Sequence, residues 1–150
     1  MAVVRVYVPL GRTALEELAA AGSLPAGQGA PISAYAVTSA LRSGAPGLDV
    51  EDLEYAAFTD AVAVAAAGAA RSSPRHRRVV AAADADPAWV VSGVGVPASS
   101  VVLVAPMPLS RVASFHVDDE SAVDIVDEEA DELLWYDVTE LDDVRSFFVG

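Results

Sequence analysis

Two residues in the last third of the chain have the types and spacing that a small active site could use. His116 and Asp118 are separated by one residue, and alternate residues of a β-strand point to the same face of a sheet. An imidazole beside a carboxylate can hold a divalent metal, or act as a general base that the carboxylate orients. One interpretation is therefore a metal-dependent or hydrolytic enzyme centred on this pair. In the structural alternative, His116 is an ordinary strand residue and Asp118 ends the strand.

A second group of candidate residues lies in an arginine-rich stretch that runs into the start of the strand predicted over 77–83. Arg75, Arg77 and Arg78 flank His76 there, and guanidinium groups bind phosphates and carboxylates through two parallel hydrogen bonds. The stretch indicates anion or RNA binding as a further alternative. It contains no glycine-rich phosphate loop and no aromatic residue for base stacking. The favoured interpretation is a solvated loop that pairs with acidic residues of the same chain.

The net charge of −13 is concentrated in the last quarter of the sequence. Residues 1–116 hold nine acidic residues and eight arginines, whereas residues 117–150 hold 13 acidic residues and one arginine. Such a surface repels nucleic acid and anionic membranes, and it suits a basic protein partner, a cation or plain solubility. The acidic residues predicted to bind a partner are Asp124, Asp127, Glu128 and Asp131.

Composition excludes several kinds of chemistry. The chain lacks both cysteine and lysine, which excludes disulfides, thiolate metal sites, thiol nucleophiles, Schiff bases and a Walker-type phosphate loop. Two histidines are too few for a histidine-rich metal centre, and neither a GxGxxG nor a GxSxG motif is present. No cofactor is therefore predicted. The lack of a leader sequence and of a 20-residue apolar run predicts a cytoplasmic protein without a membrane span.

The elements that must position these residues follow an α+β pattern. Apolar and alternating runs predict strands over 3–8, 32–38, 77–83, 89–91, 100–105, 113–117 and 133–136. Helical patterns cover 13–21, 50–71, 120–130 and 140–148. The consecutive strands after residue 77 favour a mixed or largely antiparallel sheet of five to seven strands packed with three or four helices. The length of 150 residues fits a single compact domain.

Local signals predict the helix ends and the buried positions. Thr13 with Glu16 has the capping-box spacing, Asp49 precedes the longest helix, and Thr139 precedes the last one. The large aromatic side chains, Trp135 among them, are expected to anchor a core otherwise rich in alanine and valine. One face of the longest helix should be buried through Val50, Leu53, Ala57, Ala61, Val64 and Gly68.

Six short segments occur in a fixed order along the chain. They are Arg5-Val6-Tyr7-Val8-Pro9-Leu10, Ala34-Tyr35-Ala36-Val37-Thr38, Leu53-Glu54-Tyr55-Ala56-Ala57, Arg77-Arg78-Val79-Val80-Ala81, His116-Val117-Asp118-Asp119 and Glu132-Leu133-Leu134-Trp135-Tyr136. In this order they resemble a family of small, functionally uncharacterised proteins from high-GC Gram-positive (actinobacterial) bacteria. The resemblance implies a cytoplasmic bacterial domain of unknown function and brings no activity, substrate or cofactor.

The leading functional hypothesis is a non-enzymatic binding or regulatory module that acts through the acidic C-terminal quarter. The charge distribution favours a basic protein partner and argues against nucleic acid and membranes. Self-association is also compatible with an open, valine-rich sheet.

Overall fold

The computed structural model describes residues 3–24, 32–72, 78–92, 97–118 and 133–146. The strands are β1 (Val4–Pro9), β2 (Ser23–Leu24), β3 (Ile32–Ala36), β4 (Val79–Ala85), β5 (Val90–Ser92), β6 (Ser100–Leu103), β7 (Met107–Pro108), β8 (Val112–Val117) and β9 (Leu134–Asp137). The helices are α1 (Arg12–Ala21), α2 (Ser39–Gly44), α3 (Val50–Ser72) and α4 (Leu141–Ser146). Short 3-10 turns lie at Pro87–Trp89, Leu109–Arg111 and Val138–Glu140.

Seven of the strands form one sheet in the order β5-β6-β3-β1-β4-β8-β9, and every neighbouring pair is antiparallel. Strands β2 and β7 form a separate two-stranded sheet. The predicted α+β class, with a largely antiparallel sheet of five to seven strands and three or four helices, is confirmed. The two-stranded sheet escapes prediction because neither strand is long enough to show a period.

Helices cover both faces of the large sheet. Leu15 and Leu18 of α1 and Leu141 and Val144 of α4 join one core with Phe115 of β8. The core on the opposite face contains Ala57, Ala61 and Val62 of α3, packed on Tyr7, Val80 and Ala82. The interior strand β4 is buried on both faces over residues 79–83, which explains the unbroken run of valine and alanine there.

The ends of α1 and α4 differ from the predicted ones. Helix α1 begins after Gly11 without a side-chain cap, so the predicted capping role of Thr13 is wrong. Before α4 it is Asp137, not Thr139, that caps the preceding turn, and the side chain of Glu140 reciprocates. Thr139 instead donates its hydroxyl to Asp137. Helix α1 and the 3-10 turn before α4 thus each begin earlier in the sequence than the apolar pattern predicts.

Two other helix ends follow the expected rules. Asp49 accepts a hydrogen bond from the Asp52 backbone amide at 2.9 Å, as its N-cap prediction requires. Gly22 ends α1 in the left-handed region with φ of 72°, where a residue without Cβ is favoured.

The buried face of α3 is rotated from the predicted stripe. Val50 and Val64 are exposed, and Val62 and Ala65 are buried in their place. Tyr55 and Trp135 are also exposed, so the expectation that they anchor the core is wrong. The helix predicted over 120–130 lies outside the described residues.

Candidate functional site

The face of the sheet beneath α3 carries a row of polar side chains along β4 and β8. In the antiparallel register, Val80 lies opposite His116 and Ala82 lies opposite Ser114. Alternation sends Phe115 and Val117 into the core on the opposite face. His116 and Ser114 therefore share the α3 face, together with Asp118 beyond the strand end. We call Ser114, His116 and Asp118, with their contacts, the polar row.

His116 occupies a half-buried position between strand and helix. Its Nε2 lies 3.1 Å from the Ser114 hydroxyl, and either atom can donate, depending on the imidazole tautomer. The ring of Phe58 packs against the imidazole edge-to-face, with centroids 4.8 Å apart. Burial, and to a smaller extent the positive charge of Arg5, lowers the pKa of His116. The imidazole is therefore neutral near pH 7 and able to accept a proton.

Asp118 does not act on His116 but holds Arg78. The carboxylate accepts from Arg78 Nη2 at 2.7 Å, from its Nε at 3.1 Å and from its backbone amide at 2.6 Å. Both side chains are 3% exposed. If either residue turned to bind an outside ligand, the other would be left as an unpaired buried charge. Arg78 Nη1 is buried without a hydrogen-bond partner among the described residues.

A second ion pair lies at the other end of β4. Arg5 Nε donates to Asp84 at 2.8 Å, and each side chain is 37% exposed. Next to it, burial, followed by the charge of Glu54, raises the pKa of Tyr7 to about 12. The Tyr7 ring meets Phe58 edge-to-face at 5.7 Å. This end of β4 thus carries a half-exposed ion pair beside the buried ring of Tyr7.

Metal ligands are not gathered on the described surface. Among the residues that the structure describes, no group of three or more His, Cys, Asp or Glu side chains could hold a metal ion. The polar row offers instead one neutral imidazole and one hydroxyl in contact. Chemically, that pair can transfer a proton, but no described carboxylate contacts the imidazole.

Strand β9 brings an exposed aromatic surface beside the polar row. Trp135 lies opposite His116 in the β8–β9 register, and its residue is 60% exposed. Leu134 is exposed as well, whereas Tyr136 packs on the core of the other face. Within the part of the chain that the structure describes, β9 is the last strand of the sheet on this side.

The residues after β9 add negative charge to this edge. Glu140, Asp142 and Asp143 are exposed around the start of α4. The one arginine of this region, Arg145, is engaged with Glu16 at 2.7 Å and with Asp142 at 2.9 Å. The hydrogen bond from Arg145 lowers the pKa of Glu16. The described surface near β9 is therefore acidic, as the excess of acidic residues in the last quarter of the sequence predicts.

The predicted site residues divide into three groups. His116 and Asp118 share a face but do not contact through any hydrogen bond that the structure shows. Arg78 is internal to the fold. The remaining predicted residues, Arg75, Arg77, Asp124, Asp127, Glu128 and Asp131, lie outside the described residues.

Sequence reasoning missed Ser114 and the exposure of Trp135. Ser114 is separated from His116 by one residue, and this same-face spacing is the signal that could have found it. Four acidic residues lie within the eight residues after Trp135. They could have indicated that Trp135 is on an exposed edge strand rather than in the core.

A family model described as a family of unknown function (DUF6912) matches residues 4–144. The chain belongs to this family. The match spans the whole of the large sheet and both described ion pairs of β4, so the sequence resemblance to an uncharacterised family is confirmed at that level. Searches of curated proteins and of solved structures found no match. Among the described residues, no helix is both long and apolar enough to cross a membrane.

Proposed function

We propose that this DUF6912 protein is a non-enzymatic binding or regulatory module that captures a basic protein partner through its acidic C-terminal quarter. The observation that carries the proposal is the exposed Trp135 on the last strand of the sheet, in the most acidic part of the chain. The cytoplasmic location expected from the sequence stays a prediction.

Two physical effects support capture at this edge. The 13 acidic residues beyond residue 116, apart from Asp118, which is buried against Arg78, attract a cationic partner and raise its association rate. An exposed indole then offers a cation–π contact to arginine or lysine, worth about 0.5–1 kcal/mol at an exposed site. The same charge disfavours RNA, and the Arg78 guanidinium that was a candidate for anion binding is engaged by Asp118.

The test is affinity capture with three matched baits. One bait is the unchanged protein, one carries Asp127→Arg with Glu128→Arg, and the control carries Glu51→Arg with Asp52→Arg. Both variants change the net charge equally, and the control positions are exposed in the first turn of α3. The proposal expects one basic protein, identified by mass, to bind the unchanged and control baits and to be lost from the Asp127/Glu128 bait. Equal capture by all three baits would refute it.

The contact between Ser114 and His116 favours a second candidate function, a serine-dependent hydrolase. The neutral imidazole would take the Ser114 proton while the hydroxyl oxygen attacks an acyl or phosphoryl centre, and it would return that proton to the leaving group as the bond to that group breaks. Water would then hydrolyse the acyl- or phosphoryl-serine. Against it, Ser114 is 5% exposed, and Asp118 is engaged by Arg78 rather than orienting the imidazole. A fluorophosphonate probe decides, because this function requires labelling that Ser114→Ala abolishes and His116→Gln slows. An unlabelled protein excludes it.

A further inference from the structure

His116 of β8 and Trp135 of β9 lie directly opposite each other in the antiparallel register. The side chains of such a cross-strand pair point to the same face of the sheet, with Cβ atoms about 4.5–5.5 Å apart. The two side chains differ in exposure, because Trp135 is 60% exposed whereas His116 is half-buried. A cation that binds over the exposed indole therefore comes close to the imidazole.

The imidazole of His116 is surrounded by uncharged contacts. It lies 3.1 Å from the Ser114 hydroxyl and packs edge-to-face on the ring of Phe58, and the residue opposite it on β4 is Val80. Burial, followed by the positive charge of a neighbouring strand, lowers the pKa of His116. The imidazole is therefore neutral at pH 7 and takes up its proton on acidification.

Charged groups reach this face from four described elements. They are Arg5 of β1, Glu54 of α3 one turn before Phe58, Asp118 of β8 with its partner Arg78, and Asp137 of β9. Asp118 is held by its arginine, and Asp137 accepts the Thr139 hydroxyl. Because no described carboxylate hydrogen-bonds the imidazole, a proton taken up by His116 adds uncompensated positive charge next to Trp135.

We propose that protonation of His116 expels the basic partner from Trp135, so that capture is tight at neutral pH and weak in acid. The proposal rests on the proposed function and specifies its regulation. The imidazolium and the partner's arginine or lysine carry like charges on one side of the sheet, and like charges oppose association. Two such charges about 8 Å apart, at an effective dielectric constant of about 40, weaken binding about fivefold.

The coupling must act in both directions. Because the imidazolium lowers the affinity for the partner's cation, the bound cation lowers the affinity of the imidazole for its proton by the same factor. A fivefold coupling corresponds to a fall of about 0.7 in the pKa of His116 when the partner is bound. This measurement uses the unchanged protein and does not depend on the folding of a variant.

The probe is the peptide (Arg-Gly)4-amide, labelled at its N-terminus with tetramethylrhodamine, whose anisotropy reports binding. Affinity is measured at about 50 mM salt, from neutral pH down through the titration of His116. The imidazole signals of His116 in NMR spectra give its pKa without peptide and with saturating peptide. The peptide should lower that pKa in the unchanged protein and not in Trp135→Ala, where the cation is no longer held beside the imidazole.

Two histidine variants assign the pH dependence. His116→Gln removes the titrating group, and His76→Gln, which replaces the only other histidine of the chain, is the matched control. The affinity should fall about fivefold across the His116 titration in the unchanged protein and in His76→Gln, and His116→Gln should lose this fall. A pKa of His116 that the peptide leaves unchanged or raises would overturn the proposal and leave charge-driven capture intact, as would a fall in affinity that His116→Gln retains in full. A peptide that does not bind at neutral pH would overturn both.

Discussion

Removal of the Asp118 charge should destabilise the protein more than any other single change to its described ion pairs. Asp118→Asn keeps the size of the side chain and one acceptor oxygen, but it leaves the buried Arg78 guanidinium without a counter-charge. The carboxylate now accepts from Nε, Nη2 and the backbone amide of Arg78. Breaking a buried pair by removing one partner costs about 3–5 kcal/mol.

The magnitude follows from burial rather than from the number of hydrogen bonds. Both side chains are 3% exposed, so water cannot solvate the guanidinium that remains, and its Nη1 already lacks a partner among the described residues. Because small domains are stable by only about 5–15 kcal/mol, this loss is a large fraction of the total. A neutral pair of similar volume removes the penalty, so Arg78→Met combined with Asp118→Asn should recover most of it.

Urea unfolding measures these differences in the free energy of unfolding, provided that its dependence on urea concentration (the m-value) is the same for all variants. The matched control is Asp84→Asn, which breaks the half-exposed pair with Arg5 on the same face of β4 and should cost about 0–1 kcal/mol. Salt should diminish the contribution of the Arg5 pair and leave that of the buried pair nearly unchanged. A loss under about 1 kcal/mol for Asp118→Asn, or a double variant less stable than Asp118→Asn alone, would refute the reasoning.

Two further predictions concern the effect of His116 titration and of the Gly22 backbone conformation on stability. Because burial holds the pKa of His116 below 6.5 in the folded protein, the unfolded chain binds the proton first, so the free energy of unfolding should fall as the pH drops below 6.5. His116→Gln should reduce that fall in urea titrations at pH 7.5 and 5.5, and an unchanged difference would contradict the burial. Gly22→Ala should cost about 1 kcal/mol because of the positive φ, with no crowding of the new Cβ. Gly47→Ala, which is equally uncrowded and lacks a positive φ, should be nearly neutral in the same assay.

The strand pattern was predictable because most strands have one or both faces buried. The run over 79–83 is apolar at every position, as a doubly covered central strand requires. Pairing order was not predictable, since β1 lies between β3 and β4 and no local signal encodes which distant strands meet. The burial of α3 was predicted in part: its alanine-rich second half is apolar nearly all round, and such a helix does not define one stripe.

The candidate site was predictable only to the level of shared faces. Strand alternation could have joined Ser114 to His116, although the sequence analysis did not use it for Ser114. The partner of Asp118 lies 40 residues away in sequence, beyond the reach of such a local rule. Arg78 reads as part of a solvated basic loop because its neighbours are arginine and histidine. Arg78 is buried because it directly precedes Val79, the first residue of strand β4. Its residue type alone does not predict that burial.

The two ion pairs at the ends of β4 help to set its pairing register, which the apolar residues of the strand leave poorly defined. A run of valine and alanine buried on both faces would pack almost as well if shifted along its neighbours, because no size or polarity difference marks the correct register. Asp84 meets Arg5 of β1 at one end, and Arg78 meets Asp118 beyond β8 at the other. A shift by one residue against β8 would move Arg78 to the opposite face and bury both charges unpaired. The buried Arg78–Asp118 pair therefore opposes a shift against β8, and the half-exposed Arg5–Asp84 pair opposes a shift against β1 more weakly. Setting the register is the best-attested role of a buried ion pair.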